Sequence, residues 1–376
     1  MKKIAFVLTT DFAVKAFLLS HLRALSEFYE VTVIVNTEGK DFLRAETIDA
    51  VVIPLEFSRK ISLATDVSCL FQLIKLFHQY KFDAVHSVTP KAGLLCMLAS
   101  WLVCIPLRVH TFTGQVWASK TSIKRLLLKW VDCLIAALTT HNLIDSPSQM
   151  QFLLDEKVTK SAKSHVFAKG SISGVDITKF KPNVDARLAI RNQLKIAEDK
   201  LVFLFIGRLN RDKGVMDLAQ AFSQLNNSNL HLLFVGPDEQ DMQAEIMKTQ
   251  SNQAHIHFIG HTDTPEAYMA AADVLCLPSY REGFGSVLIE AAAVGVPAIA
   301  SRIYGITDAV VDNETGLLHE PRNVDAIKML METVANNEAL RNKLGKQAIE
   351  RVVKDFSSEL ITQAWVDFYQ DKLGTS

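Results

Sequence analysis

The sequence has few of the features that are typical of disulfide-rich proteins, metal-dependent enzymes or enzymes with a catalytic nucleophile. Only five cysteines occur in 376 residues, and no two of them form a CxxC pair. Because their number is odd and most lie in apolar runs, we predict reduced, buried thiols in a reducing compartment. The sequence also lacks a DxD metal motif, an HExxH zinc motif, a GxSxG nucleophile and a Walker A loop. These absences favour a chemistry that needs no bound metal.

Long hydrophobic runs are also missing. The longest, residues 94–107, is too short to span a bilayer and closes on a proline, so it predicts a core helix, with an interfacial segment as the alternative. The first apolar run begins like a signal peptide, but it stops at Asp11 without a small-residue cleavage site, which favours a buried first strand. We therefore expect a soluble or peripheral protein and not an integral membrane protein.

The net charge of −1 conceals an asymmetry between the two halves. Residues 1–182 contain 22 Lys and Arg against 15 Asp and Glu, a net charge of +7, whereas the remainder has a net charge of −8. A basic half predicts an acidic partner, such as a phosphate-bearing substrate or an anionic membrane surface. No nucleic-acid-binding motif and no basic stripe interleaved with aromatic residues is present, so we expect no nucleic acid partner.

Short apolar segments alternate with longer amphipathic ones along the whole chain. In the first half, strands are predicted at residues 3–10, 31–36, 50–55, 84–88 and 107–112. In the second half, strands are predicted at residues 201–207, 230–236, 256–260, 274–279 and 296–301. Helices are predicted between them, among others at residues 15–27, 68–79, 215–226, 265–272, 285–294 and 323–335. The predicted fold class is α/β, with two Rossmann-like doubly wound domains on parallel sheets.

A break in this alternation predicts the domain boundary. Residues 176–199 contain a proline, mixed charge and one short amphipathic helix. We place an N-terminal domain at residues 1–182 and a C-terminal domain at residues 183–356. The last segment, residues 357–376, contains an amphipathic stretch that we expect to pack back on the N-terminal domain.

The first candidate site follows a predicted strand at Gly207. The sequence there is GRLNRDKG, which places Arg208 and Lys213 at a strand end and Gly214 before a helix. Ligands of open parallel sheets bind beyond the carboxyl ends of strands. A planar guanidinium and a compact ammonium group suit a diphosphate, although a solvated loop with two surface cations is the alternative.

The second candidate site is SYREGFGSVLIE, residues 279–290, which follows another strand and opens a helix. A helix N-terminus binds anions, and Glu282 and Glu290 can accept hydrogen bonds from vicinal hydroxyl groups. The alternative is that Glu282 only complements the helix dipole and Glu290 is a solvated helix residue. Glu290 is the only charge in a long uncharged stretch, so it needs a partner. A dinucleotide fingerprint is rejected because Leu288 occupies the position of its third glycine.

The N-terminal half offers weaker candidates. His110 lies at a strand end before polar residues, where it is either a ligand contact or a structural histidine. Residues 169–176 contain two glycines and two serines, which form either a wall near the hinge or a simple turn. A basic run lies on a predicted helix that also carries Leu126, Leu127 and Trp130. We expect this run, together with Lys91 before it, to face the acceptor or an anionic membrane. The alternative is an ordinary solvated helix face. The run comprises Lys120, Lys124, Arg125 and Lys129.

On these motifs the sequence resembles the retaining family-4 glycosyltransferases, which have two facing Rossmann-like domains, the GT-B fold. The matching segments are GRLNRDKG and SYREGFGSVLIEAAAVGVPAIAS, in which the two glutamates of the family signature fall on Glu282 and Glu290. The segments RVHTFTGQVW and GSISGVD resemble the bacterial branch that builds lipid-linked oligosaccharides for capsule, O-antigen or glycoprotein glycans. The first strand–helix loop lacks the paired glycines of many relatives.

The resemblance implies a role for each matched residue. Arg208 and Lys213, which follow Gly207, would bind the donor diphosphate, Glu282 the donor-sugar hydroxyls and Glu290 the ribose. His110 would contact the donor sugar from the other domain. Backbone amide groups would bind the sugar and the phosphate, at Phe284, Gly285, Ser286 and Val287.

The resemblance further implies a metal-independent retaining hexosyltransferase with no cofactor. It would move a hexose or N-acetylhexosamine from a nucleotide sugar, with uridine as the expected base, to a polyprenyl-diphosphate-linked saccharide. The expected location is cytoplasmic, peripheral on the inner face of the membrane. The alternatives are a non-catalytic scaffold of an envelope polysaccharide complex and a phosphorylase or epimerase of the same fold.

Overall fold

The computed structural model describes residues 1–39, 41–57, 62–249 and 253–374. The chain forms two compact units. The first comprises Met1–Gly174 together with the C-terminal residues from Ser358 onward, and the second comprises Val175–Ser357. The chain therefore passes from one unit to the other after Gly174 and again after Ser357, whereas the sequence analysis placed its boundaries at residues 182 and 356.

The first unit contains a seven-stranded parallel sheet in the strand order 3-2-1-4-5-6-7. Its strands are β1 (Lys3–Leu8), β2 (Glu30–Val35), β3 (Ala50–Pro54), β4 (Ala84–Ser87), β5 (Leu107–Phe112), β6 (His141–Ile144) and β7 (Ser164–His165). Its helices before the first crossing are α1 (Asp11–Phe17), α2 (Leu19–Ser26), α3 (Phe42–Ala45), α4 (Leu63–Tyr80), α5 (Pro90–Leu102), α6 (Ser122–Leu138) and α7 (Pro147–Asp155). The interior strand β1 is buried on both faces, which explains its continuous apolar sequence.

The second unit contains a six-stranded parallel sheet. Counted within this unit, its strand order is 3-2-1-4-5-6, which is the order of the first six strands of the first unit. Its strands are β8 (Leu201–Ile206), β9 (Leu230–Val235), β10 (Ile256–Ile259), β11 (Val274–Leu277), β12 (Ala298–Ser301) and β13 (Gly316–His319). Its helices are α8 (Val184–Gln193), α9 (Val215–Ser223), α10 (Met242–Thr249), α11 (Pro265–Ala271), α12 (Ser286–Val294), α13 (Ile306–Ala309), α14 (Val324–Ala335) and α15 (Glu338–Asp355).

The last helix, α16 (Ser358–Leu373), belongs to the first unit. Its Trp365 ring stacks on His86 with ring centroids 4.8 Å apart, and the hydroxyl of Tyr369 lies 2.8 Å from Nδ1 of His86. Both aromatic side chains are buried. A buried histidine thus meets its hydrogen-bonding need from a helix 283 positions away in the sequence.

The predicted fold class, two Rossmann-like doubly wound domains, is confirmed. All ten predicted strands are present, but β6, β7 and β13 were missed because they are short and begin with polar residues or glycine. The apolar run at residues 94–107 is not one helix: α5 ends at Leu102, and the run continues into β5. The predicted helix at residues 15–27 is interrupted at Leu18.

The expectation that the cysteines are buried is correct for three of them and wrong for the other two. Cys69, Cys96 and Cys276 are buried, Cys133 is partly exposed and Cys104 is exposed. All five are free thiols. Cys104 lies in the turn after α5, where the chain reverses at the surface, so its apolar neighbours in the sequence do not bury it.

Candidate active site

The two candidate motifs of the second unit meet at the point where its strand order reverses. β8 and β11 are neighbours in the sheet although the chain visits two other strands between them. GRLNRDKG follows the carboxyl end of β8, and SYREGFGSVLIE follows the carboxyl end of β11. This topological switch is where open α/β sheets bind their ligands.

The loop after β8 is shaped by Gly214. This residue has φ +69°, in the left-handed region that favours glycine, and is the N-cap of α9. A Cβ atom here would overlap the carbonyl oxygen of Pro278, which lies immediately before the second motif. The glycine therefore brings the two loops into contact, and the backbone amide of Tyr280 donates a 2.8 Å hydrogen bond to the carbonyl oxygen of Asp212.

The two candidate cations of this loop, Arg208 and Lys213, are each paired with a carboxylate. Arg208 Nη1 lies 3.1 Å from Glu239 Oε1, and its side chain is about half exposed. Lys213 Nζ lies 2.5 Å from Glu282 Oε1 in a pair that is largely buried, with the two side chains 20% and 12% exposed. Each of the two cations at the sheet edge is thus bound by a carboxylate, and an anionic ligand could replace these carboxylates as the partner of the cations.

The N-terminus of α12 lies in the second motif. Gly285 precedes the helix with φ +81°, and no side chain caps the first amide groups. Ser286 and Val287 are the first two residues of α12, whereas the side chain of Phe284 is buried in the core against Phe356. Only the backbone of Phe284 is therefore left to contact a ligand. Free amide groups at a helix N-terminus attract anions.

Glu290 lies one turn further along α12. Burial raises the pKa of its carboxyl group to about 7, with Lys179 lowering the pKa and Glu266 raising it. Lys179 and Glu266 form an ion pair of 3.5 Å. No described residue donates a hydrogen bond to the Glu290 carboxyl, so this group has the acceptor capacity that hydroxyl groups of a ligand require.

Sequence reasoning missed three residues of this region. Glu239 was not among the predicted site residues, but it pairs with Arg208 and also accepts a 3.0 Å hydrogen bond from Asn210. Its position in the loop after β9, at the same sheet edge, is the signal that could have revealed it. Lys179 carried no comparable signal because it lies in the segment between the two sheets, and Glu266 was hidden inside the predicted helix at residues 265–272.

In the first unit, His110 lies near the carboxyl end of β5. It is buried, with Nδ1 2.8 Å from Ser87 Oγ, and burial lowers its pKa to about 3, so the imidazole is neutral. Gly93 makes room for the ring, since a Cβ atom at this position would lie 2.5 Å from His110 Cε1. The contact of His110 with a donor sugar stays a prediction.

Ion pairs are described for Lys91, Arg125 and Lys129 of the candidate acceptor or membrane cations. Lys91 lies 2.6 Å from Asp66. Arg125 and Lys129 lie 2.6 and 2.5 Å from the carboxylate of Glu156, and they lower its pKa.

The other two candidate cations lie at the surface. Lys124 is exposed on α6, while Lys120 is exposed ahead of this helix, which begins at Ser122. Among the described residues, no helix is long and apolar enough to cross a membrane.

Two families of known proteins match the two halves of the chain. A family model described as "Glycosyl transferases group 1" matches residues 186–351, and one described as "Glycosyl transferase 4-like domain" matches residues 14–168. The chain is 30% identical over 349 residues to the capsular polysaccharide biosynthesis glycosyltransferase CapM of Staphylococcus aureus, covering 91% of this chain and 90% of CapM.

Further similarity extends to an Escherichia coli protein and to solved structures. The chain is 26% identical over 355 residues to UDP-Gal:alpha-D-GlcNAc-diphosphoundecaprenol alpha-1,3-galactosyltransferase, covering 92% of this chain and 90% of that enzyme. Anabaena HepE in complex with UDP-glucose superimposes with a TM-score of 0.84 at 18% identity, over 99% of this chain and all of HepE. Sucrose-phosphate synthase of Thermosynechococcus elongatus superimposes with a TM-score of 0.82 at 22% sequence identity, over the whole of both chains. These structural similarities establish the fold.

Proposed function

Because the chain belongs to the family-4 glycosyltransferases, we propose that it transfers a sugar from a nucleotide diphosphate donor with retention of anomeric configuration. The observation that carries the proposal is the convergence of Arg208, Lys213, Glu282 and the N-terminus of α12 at the switch point of the second unit. Uridine is the proposed base. It is supported by the names of the E. coli relative and of the HepE complexes, which contain UDP or UDP-glucose.

The proposed acceptor is a polyprenyl-diphosphate-linked saccharide. Support comes from the E. coli relative, which is named for a diphosphoundecaprenol acceptor, and from CapM, which is named for capsule synthesis. The product would serve capsule, O-antigen or glycoprotein glycan assembly. Since such an acceptor is anchored in lipid, the protein would act as a peripheral protein on the inner face of the cytoplasmic membrane, against its anionic surface.

The paired charges suggest how donor binding proceeds. A diphosphate would draw Lys213 away from Glu282 and Arg208 away from Glu239. Glu282 would then be free to accept hydrogen bonds from donor-sugar hydroxyls. Glu290 would accept those of the ribose, while the amide groups at the start of α12 bind phosphate oxygens.

In the proposed reaction, the bond from the anomeric carbon to the diphosphate oxygen breaks as the acceptor oxygen attacks from the same face. The acceptor hydroxyl proton passes to the departing diphosphate, so no protein nucleophile or base is required. Arg208 and Lys213 stabilise the negative charge that develops on the leaving group, and no metal cofactor is needed.

A thermal-shift panel of nucleotide diphosphates and nucleotide sugars tests the donor class. We expect UDP and one UDP-sugar to raise Tm selectively, because a ligand at 100 times its Kd stabilises the folded state by about 2.7 kcal/mol. Arg208→Ala should abolish the shift, while Arg211→Ala, a nearby cation paired with Glu245, should keep it. A flat panel would contradict the donor assignment.

The stereochemistry is tested with the UDP-sugar that the panel selects. Transfer to a synthetic polyprenyl-diphosphate-linked N-acetylglucosamine should convert an α-linked donor into an α-linked product, measured by NMR coupling constants. A β-linked product would contradict the retaining mechanism.

A further inference from the structure

Large apolar side chains lie exposed on two helices of the first unit. Their spacing along α4 and α6 places each set in one stripe along its helix. We define the apolar face as these seven residues: Leu63, Val67, Phe71, Ile123, Leu126, Leu127 and Trp130. Each is between 49% and 80% exposed. The stripe on α4 was not singled out from the sequence.

The two stripes belong to one helical layer. α5 packs against both α4 and α6, and Lys91 at its start is ion-paired with Asp66 of α4. The stripes occupy the N-terminal halves of α4 and α6, and in a parallel α/β sheet helices begin at the carboxyl edge of the strands. The apolar face is therefore at the same edge of the first unit as His110.

Exposed apolar patches of this kind mark interaction surfaces, because water contact makes them unfavourable in a monomeric soluble protein. The acidic residues of these two helices do not oppose an anionic partner. Asp66 is the only one on α4 and is ion-paired with Lys91, while Asp132 is the only one on α6 and is buried. Lys124 is exposed within the stripe of α6.

The ionic part of the surface is smaller than the sequence suggested. Arg125 and Lys129 share the carboxylate of Glu156, and both lie over the ring of Trp117 at 5.4 and 5.7 Å. Their charge is thereby partly neutralised within the protein. The surface that a partner can contact is therefore mainly apolar, with a small positive charge beside it.

We propose that the apolar face inserts into the interfacial region of a lipid bilayer, and that burial of its apolar side chains, more than charge attraction, holds the protein there. A second copy of the chain fits less well, because a two-fold interface would bring the positive charge of Lys124 into the interface from both subunits. An anionic lipid surface instead turns that charge into an attraction. The inference deepens the proposed function and rests on its lipid-linked acceptor.

Vesicle co-sedimentation tests the proposal on the full chain. Vesicles of phosphatidylcholine with and without phosphatidylglycerol are used at low and high salt. The variants Val67→Ser/Phe71→Ser and Leu126→Ser/Leu127→Ser should each weaken binding about tenfold or more in both salts. Lys120→Ser/Lys124→Ser should weaken it less than about threefold, and only at low salt. Met329→Ser/Val353→Ser, which changes two exposed apolar residues of the second unit, is the matched control.

Tryptophan fluorescence gives an independent readout. The chain has four tryptophans, of which Trp117 and Trp365 are buried, while Trp101 and Trp130 are 51% and 59% exposed. Trp130 belongs to the apolar face. Trp101 lies at the C-terminal end of α5, whereas the apolar face lies where α4 and α6 begin. Brominated lipids should quench the wild type and Trp101→Phe, and should quench Trp130→Phe much less.

The outcomes separate the possibilities. Equal binding of the α4, α6 and control variants, or binding that high salt abolishes in the wild type, would overturn the proposal. A wild type that ignores vesicles but forms a dimer that the α6 variant dissociates would assign the surface to a second copy. Unchanged Tm shifts with UDP-sugar in all surface variants show that they are folded. A positive vesicle result with a flat nucleotide panel would leave the surface assignment intact and remove the proposed function.

Discussion

The two units share one strand order but present opposite chemistry at their carboxyl edges. In the second unit, the edge carries paired charges, Arg208 with Glu239 and Lys213 with Glu282. In the first unit, it carries the buried, neutral His110, and the neighbouring helices expose apolar side chains. The difference shows that the doubly wound scaffold sets where a site lies, whereas the residues after each strand decide whether the site handles charge.

Loss of the charged residues in the second unit should have the greatest effect on activity. Arg208→Ala and Lys213→Ala should each lower kcat/KM about 100- to 1,000-fold, since each removes a cation from the developing leaving group. The double variant should lose far less than the product of the two single effects, because both act on one group. Arg211→Ala is the matched control. Near-normal turnover by either single variant would remove that cation from the diphosphate site.

Matched glycine substitutions should affect the packing of the two units differently. Gly214→Ala should destabilise the second unit by roughly 1–3 kcal/mol, because it combines a left-handed φ with a clash against the backbone of Pro278. Gly93→Ala should cost less stability, since its φ is not left-handed and its neighbour is the side chain of His110 and not backbone, but displacement of that ring should impair activity. Gly260→Ala, with no atom within 4 Å, is the control in urea unfolding. Equal stability of all three variants would contradict the predicted order.

The pH dependence should differ between the units. The pKa of Glu290 is about 7, so its carboxyl becomes a stronger acceptor as the pH rises, and KM for the donor should fall several-fold from pH 6 to pH 8. His110, with a pKa of about 3, should add no transition between about pH 5 and 9. Glu290→Gln should remove the change in KM, and a KM that is independent of pH in the wild type would count against the role of Glu290 in binding.

Glu290 also links stability to pH. Its folded-state pKa lies above the ordinary value of 4.5, so the protonated form is favoured in the folded protein and stability is lost as the pH rises towards and through about 7. Glu290→Gln should therefore raise Tm at pH 8 and leave it nearly unchanged at pH 4. A Tm gain of equal size at both pH values would show that ionisation is not the cause.

The smallest expected effect is that of a chelator. If Arg208 and Lys213 supply the positive charge, EDTA should leave the transfer rate unchanged within error, while a metal-dependent transferase assayed in parallel loses its activity. Loss of activity that Mn²⁺ restores would show that the second unit uses a metal ion in addition to its cations.

Much of the fold could be predicted because its signals are local. Buried strands of a parallel sheet are continuous apolar runs, so ten strands were visible in the sequence. β7, with only two residues, and β13, which begins with glycine, have no such signal. Their places are set by pairing with β6 and β12, which the sequence does not reveal.

The order of residues along the chain specifies which of them follow each strand, and hence that two cations and two carboxylates lie at one sheet edge. The pairing of the charges is a property of the folded protein: Lys213 pairs with Glu282, 69 positions away, and Glu156 pairs with the basic side of α6. The exposure of the apolar stripes of α4 and α6 in the same layer is another such property. Hydrophobic periodicity and strand ends depend on residues that are neighbours in the sequence, so they can be predicted from it. Charge pairing and side-chain exposure depend on which distant segments the fold brings together, and the sequence positions alone do not specify that proximity.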